Sequence, residues 1–140
     1  MKATERPIEK ITLERTGQAP LTFHGYLVSE SIGHLLQGKE QNRWHDIAIY
    51  RTKAGNYIGY VEYHSTWKTE VGRCEVAVFD SPDALSKGLK DYDCTSYVCG
   101  FPPLEQYRER QERLLKDIQS RFEDQVSEVL DREECEELAA

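Results

Sequence analysis

The chain has 140 residues, 39% of them hydrophobic, enough for one domain with a real core and too few for two comfortable ones. Its formal charge is -7, and residues 104–140 carry 12 Asp and Glu against 6 Lys and Arg, which leaves -1 for the rest. A net-negative chain gains little from counterion release on phosphate, which counts against nonspecific nucleic-acid binding, and the lack of an apolar run of about eighteen residues excludes a spanning helix.

The first eighteen residues, MKATERPIEKITLERTGQ, mix both charge signs without the apolar block of a secretory signal, so a cytoplasmic location is expected. Cys74, Cys94, Cys99 and Cys135 are then expected as free thiols. Ile8, Ile11 and Leu13 suggest a short strand or a docked arm that Pro20 ends. From Leu21 a strand follows, with Leu21, Phe23, Gly25 and Leu27 on one face and Thr22, His24, Tyr26 and Val28 on the other. A glycine in mid-strand marks either a bulge or a close backbone approach. Residues 33–43 are polar and suit a loop.

Three alternating runs come next, WHDIAIYRT, YIGYVEYHSTW and RCEVAVFD, joined by KAGN and KTEVG. Ile47, Ile49 and Arg51 share one face of the first run, and Trp44, Ala48 and Tyr50 the other. Gly55 is expected to supply the positive φ of a tight turn, and Val71-Gly72 to close the next turn in the same way. After Asp80 the period changes. Ser81 is an N-cap residue, Pro82 suits the first helical position, and Leu85 and Leu89 give a short helix one buried side. Residues 91–103 form an irregular link.

Beyond Pro103, apolar residues recur at three and four: Leu104, Tyr107, Leu114, Leu115, Ile118, Phe122, Val126, Val129 and Leu130. They predict a helix of about 28 residues, roughly 40 Å long, whose acidic end overhangs a small sheet and frays. The expected architecture is α+β: a four-stranded antiparallel meander, a short helix after the last strand and a long C-terminal helix. Residues 1–103 form the sheet part and 104–140 the helix of the same domain.

Three segments, FHGYL at 23–27, YRTKAGNY at 50–57 and VFDSPDAL at 78–85, together resemble the EXLDI family of small bacterial proteins across about residues 21–85. The motif that names the family is absent. The resemblance implies an order of strand, hairpin, strand and helix, and it carries over no functional residue.

Four constellations bear on function. His64, Cys74, Cys94 and Cys99 would hold Zn²⁺ tetrahedrally if the loop with the last two folded back, though their spacing equally suits free thiols, and no metal or other cofactor is expected. Asp46, Glu62 and His64 lie on strands where a Mg²⁺-binding carboxylate group would be sought, with solvated strand faces as the ordinary alternative. Trp44, Tyr50, Tyr57 and Tyr60, flanked by Arg51 and Lys68, would stack single-stranded bases or pack as cross-strand pairs. The helix stripe of Leu114, Ile118, Phe122, Val126 and Val129 either covers the sheet or meets a partner helix. The expected arrangement divides it, with the first half on its own sheet and the second half at a partner. No nucleotide or catalytic motif appears. The leading expectation is a non-enzymatic interaction protein, a homodimer or an adaptor, using the helix and a sheet edge. A nucleic-acid-linked regulator and an acidic nucleic-acid mimic are the alternatives.

Overall fold

The computed structural model describes residues 6–34, 42–68 and 70–131. Five strands, β1 (Glu9–Arg15), β2 (Gln18–Ile32), β3 (Arg43–Thr52), β4 (Tyr57–Ser65) and β5 (Arg73–Phe79), pair antiparallel in sequential order. They are followed by α1 (Pro82–Lys90), one 3-10 turn (Glu105–Tyr107) and α2 (Arg108–Leu130). The fold class is the expected α+β, but the sheet has five strands, not four. Ile11 and Leu13 pair with Phe23 and Leu21, so the N-terminal segment is a full strand that buries its own apolar side. Pro20 does not end it. The β1–β2 register slips between Leu13 and Arg15, and Pro20 lies in that irregularity, where a ladder N–H is dispensable.

The sheet curls until its ends meet: the Thr16 N–H donates to the Cys74 carbonyl at 2.8 Å, and the Cys74 N–H donates to Thr16 Oγ1 at 2.8 Å. Inside the curl, Leu13, Ala48, Ile58 and Tyr60 form a core with Phe23, Leu27 and Val76 around it. Outside it, Ile47, Ile49, Val61, Leu85, Phe122 and Val126 belong to a second core beneath both helices. Strand alternation divides the two cores, since neighbouring side chains must point to opposite faces.

Two local features shape β2. At Gly25 the backbones approach closely, and a Cβ there would lie 2.2 Å from the Arg51 carbonyl oxygen. The bulge lies at Val28 instead, where the register shifts between Leu27 and Ser29, and it turns Ser29 and Ser31 toward α2. The β3–β4 turn has Gly55 at φ +94°, as its hairpin requires. Gly72 is not at positive φ, and β4 and β5, which end at Ser65 and begin at Arg73, are too far apart in sequence for a tight turn. Ser81 caps α1 by accepting from the Ala84 N–H at 3.1 Å. No helix among the described residues is long and apolar enough to cross a membrane.

Helix α2 spans 23 residues, about 35 Å at the usual rise. Besides apolar contact it has a polar dock: Gln125 Nε2 donates to the His45 carbonyl at 2.8 Å and to Ser31 Oγ at 3.2 Å, and Ser29 Oγ donates to the Val129 carbonyl at 2.9 Å. The acidic end, expected to fray, and Cys135 lie outside the described residues.

His45 sits under this helix at 4% exposure, edge-on to Phe122 with ring centroids 5.0 Å apart. Burial, with Arg121 and His64 adding to it, pushes its pKa from 6.5 down to about 4, against a raising hydrogen bond with the Cys94 backbone. The folded state therefore prefers neutral imidazole. Its contribution is complete above pH 6.5, is lost as pH falls toward 4, and amounts to about 3 kcal/mol at 1.36 kcal/mol per unit. Denaturant melts at pH 7 and pH 4.5 should show that loss in the parent and a smaller one in His45→Phe. Equal losses in the two would overturn this account of acid sensitivity.

Candidate functional site

Since faces alternate along a strand, the candidates of the β3–β4 hairpin are divided between the two sides of the sheet. Trp44, Tyr50 and Tyr60 belong to the inner side, where Tyr50 meets Phe23 edge-on at 5.6 Å and Trp44 stacks on His64 at 5.2 Å. Tyr57 is buried in the outer core, with the Arg51 guanidinium 5.0 Å above its ring. Lys68 is exposed in the β4–β5 loop. One platform of rings flanked by Arg51 and Lys68 is therefore not assembled.

Nor do the four candidate zinc ligands meet. Cys74 packs with the inner core. Cys94 lies in the outer core, donating to Gln119 Oε1 at 3.2 Å, with burial pushing its thiol up to about 11. Cys99 is exposed in the link after α1.

His64 is gathered with carboxylates instead. Asp46 and Glu62 are direct cross-strand partners, and His64 follows Glu62 by two on the same face. His64 Nε2 lies 3.1 Å from Asp46 Oδ2 and 3.7 Å from Glu62 Oε2. One ligand atom from each of the three residues fits within 4.8 Å of the others. The other Asp46 oxygen, Oδ1, accepts from the Gly33 N–H at 3.0 Å. Burial raises the Glu62 pKa, with His64 opposing and Asp46 adding.

The helix stripe is consumed by the fold. Ile118, Phe122, Val126 and Val129 are each at most 3% exposed, against their own sheet, and Leu114 is half-buried. The expected division along α2 is reversed: the second half is the buried one, while Arg108, Glu109, Arg110, Glu112 and Arg113 of the first half are exposed. The reason is reach, because α2 enters from a long link and meets β2 and β3 only in its later turns.

Glu70, not singled out by the sequence, organises a different surface. Its side chain is closed to solvent. Arg43 Nε donates to its two oxygens at 2.8 and 3.0 Å, and Arg43 Nη2 lies 2.8 Å from Oε2. The Tyr63 hydroxyl donates to Oε1 at 2.5 Å, and the Cys99 and Gly100 N–H groups reach Oε2 at 3.3 and 3.4 Å. Burial alone would raise its pKa, but Arg43, Tyr63, Ser65 and Gly100 hold it down to about 2. Glu70 thus ties the β4–β5 loop to the link ahead of α2. On the two segments that it joins, Trp67 and Val71 are 49% and 81% exposed, and Phe101 and Leu104 36% and 55%. A groove of about 500 Å³ runs beside Phe101, Pro102, Pro103, Leu104 and Tyr107.

No family model, curated protein or solved structure matches this chain. An acid in a KTEVG turn carries no signal of its own, and the partners of Glu70 in the link lie about thirty residues away.

Proposed function

We propose that this protein is a non-enzymatic interaction protein that self-associates, and that it does so through the apolar surface beside Glu70 rather than through its helix stripe. The observation that carries this reading is the exposure of four large apolar side chains on two loops joined by one buried carboxylate. Exposed patches of this kind mark interaction sites more often than chance placement. One of the joined segments offers exposed apolar side chains, Trp67 and Val71, and the other a groove whose lining includes Phe101, Pro103 and Leu104. Such self-complementarity suits a two-fold contact between copies, in which these side chains enter the other copy's groove. Nucleic acid is the weaker reading, because the inner-face rings share their side with Glu30, Asp46 and Glu62.

Light scattering across a concentration series tests this. The parent should pass from monomer to dimer, and Trp67→Lys with Leu104→Lys should remain monomeric with melting curves like those of the dilute parent. A parent that stays monomeric at every concentration, or a double variant that dimerises as the parent does, overturns the proposal.

A further inference from the structure

The inner-face group of Asp46, Glu62 and His64 is independent of the association surface, and three features of it call for a cation. First, Asp46 and Glu62 are directly opposed in the β3–β4 ladder, and like charges so placed destabilise a sheet unless something neutralises them. Second, His64 Nε2 is closed to solvent and makes no hydrogen bond, although Asp46 Oδ2 and Glu62 Oε2 lie 3.1 and 3.7 Å away. An imidazolium held only by ion pairing would turn its N–H toward one of these oxygens. This ring aims at neither. Third, two donors each about 2.1 Å from one metal ion and about 90–110° apart are separated by roughly 3.0–3.4 Å; the 3.1 Å spacing to Asp46 falls in this range and the 3.7 Å spacing to Glu62 lies just beyond it.

The ligands are also oriented from behind. The Gly33 N–H holds Asp46 Oδ1, which leaves Oδ2 for the cluster, and Trp44 stacks on the His64 ring at 5.2 Å with 20° between planes. Partners of this kind fix ligand orientation in metal sites. One imidazole and two carboxylates form a nitrogen and oxygen donor set that suits a first-row divalent ion such as Zn²⁺, Mn²⁺ or Fe²⁺ better than a thiolate-seeking one.

We propose that Asp46, Glu62 and His64 form a binding site for a divalent transition-metal ion on the inner face of the curled sheet. Three protein ligands leave the remaining coordination positions to water or to a small ligand with an oxygen donor.

Titration of the full chain with Co²⁺, followed by calorimetry and visible absorption, tests the site. One ion per chain should bind with the weak ligand-field bands of oxygen and nitrogen donors, and Asp46→Asn, Glu62→Gln and His64→Gln should each weaken it at least tenfold. All three side chains are partly exposed, and circular dichroism melts of the variants should stay close to the parent. Should one variant fail to fold, the other two carry the test, together with broadening of the His64 ring signals by Co²⁺ in the parent. Absence of binding at millimolar Co²⁺, an intense thiolate-to-cobalt charge-transfer band, or parent-like affinity in the folded variants would each overturn the proposal. Because Trp67→Lys with Leu104→Lys leaves the inner face intact, that variant should bind Co²⁺ like the parent, so the failure of one proposal is distinguishable from that of the other.

Discussion

Val129→Asp is expected to unfold the protein, or to destabilise it by more than about 4 kcal/mol, at neutral pH. Val129 is 0% exposed, it belongs to the core between α2 and the sheet, and its carbonyl accepts from Ser29 Oγ at 2.9 Å. An aspartate there would lose its hydration in an apolar core and must either stay protonated or open the helix dock. Had this residue served a partner, as the helix periodicity allowed, the same change would have abolished assembly and spared the fold. Urea melts followed by circular dichroism, on dilute protein, separate the two. Ser127→Asp is a control on an exposed position of the same turn and should move the midpoint little. A Val129→Asp protein with the parent's midpoint would mean that α2 does not pack as described.

Glu70→Ala should cost about 3–5 kcal/mol, the range for removing one partner of a buried ion pair. The loss exceeds that of a surface pair because Arg43 is only 14% exposed at its side chain and would be left charged without its carboxylate, and the Tyr63 hydroxyl and two backbone N–H groups would lose an acceptor. Glu70→Gln keeps the shape and should cost less. The pH response gives a second readout. The folded pKa, about 2, lies below the ordinary 4.5, so the stabilisation is present above pH 4.5 and is lost as pH falls toward 2. The parent should therefore lose stability across that window, while Glu70→Gln should lose about 3 kcal/mol less over it. Matching pH profiles for the two proteins would remove Glu70 from this role. If the apolar surface is the association site, Glu70→Ala should also weaken dimerisation, because the loops that carry Trp67 and Leu104 lose their common anchor.

Much of the architecture was legible from residue periodicity and turn chemistry. The alternation through β3, β4 and β5 assigned Ile47 and Ile49 to one side and Ala48 and Tyr50 to the other, because side chains on a strand have only two directions to take. Gly55 and the Ser81-Pro82 pair placed a turn and a helix start from backbone preferences that act over a few residues. The apolar spacing of α2 likewise located its buried stripe. The tertiary structure decided what these elements meet. Whether the stripe faces its own sheet or another chain depends on where a long link delivers the helix, and local spacing is the same in both cases. The fifth strand was uncertain because Ile11 and Leu13 count as core only once the sheet curls and encloses them with β5. Beyond the nearby Tyr63, Glu70 and Gln125 find partners 27 to 94 residues away, and a polar residue's sequence neighbours say nothing of contacts at that range. Asp46, Glu62 and His64 stood in view as a possible group, but their convergence required the β3–β4 register, which sets Asp46 directly opposite Glu62 and leaves His64 Nε2 beside both.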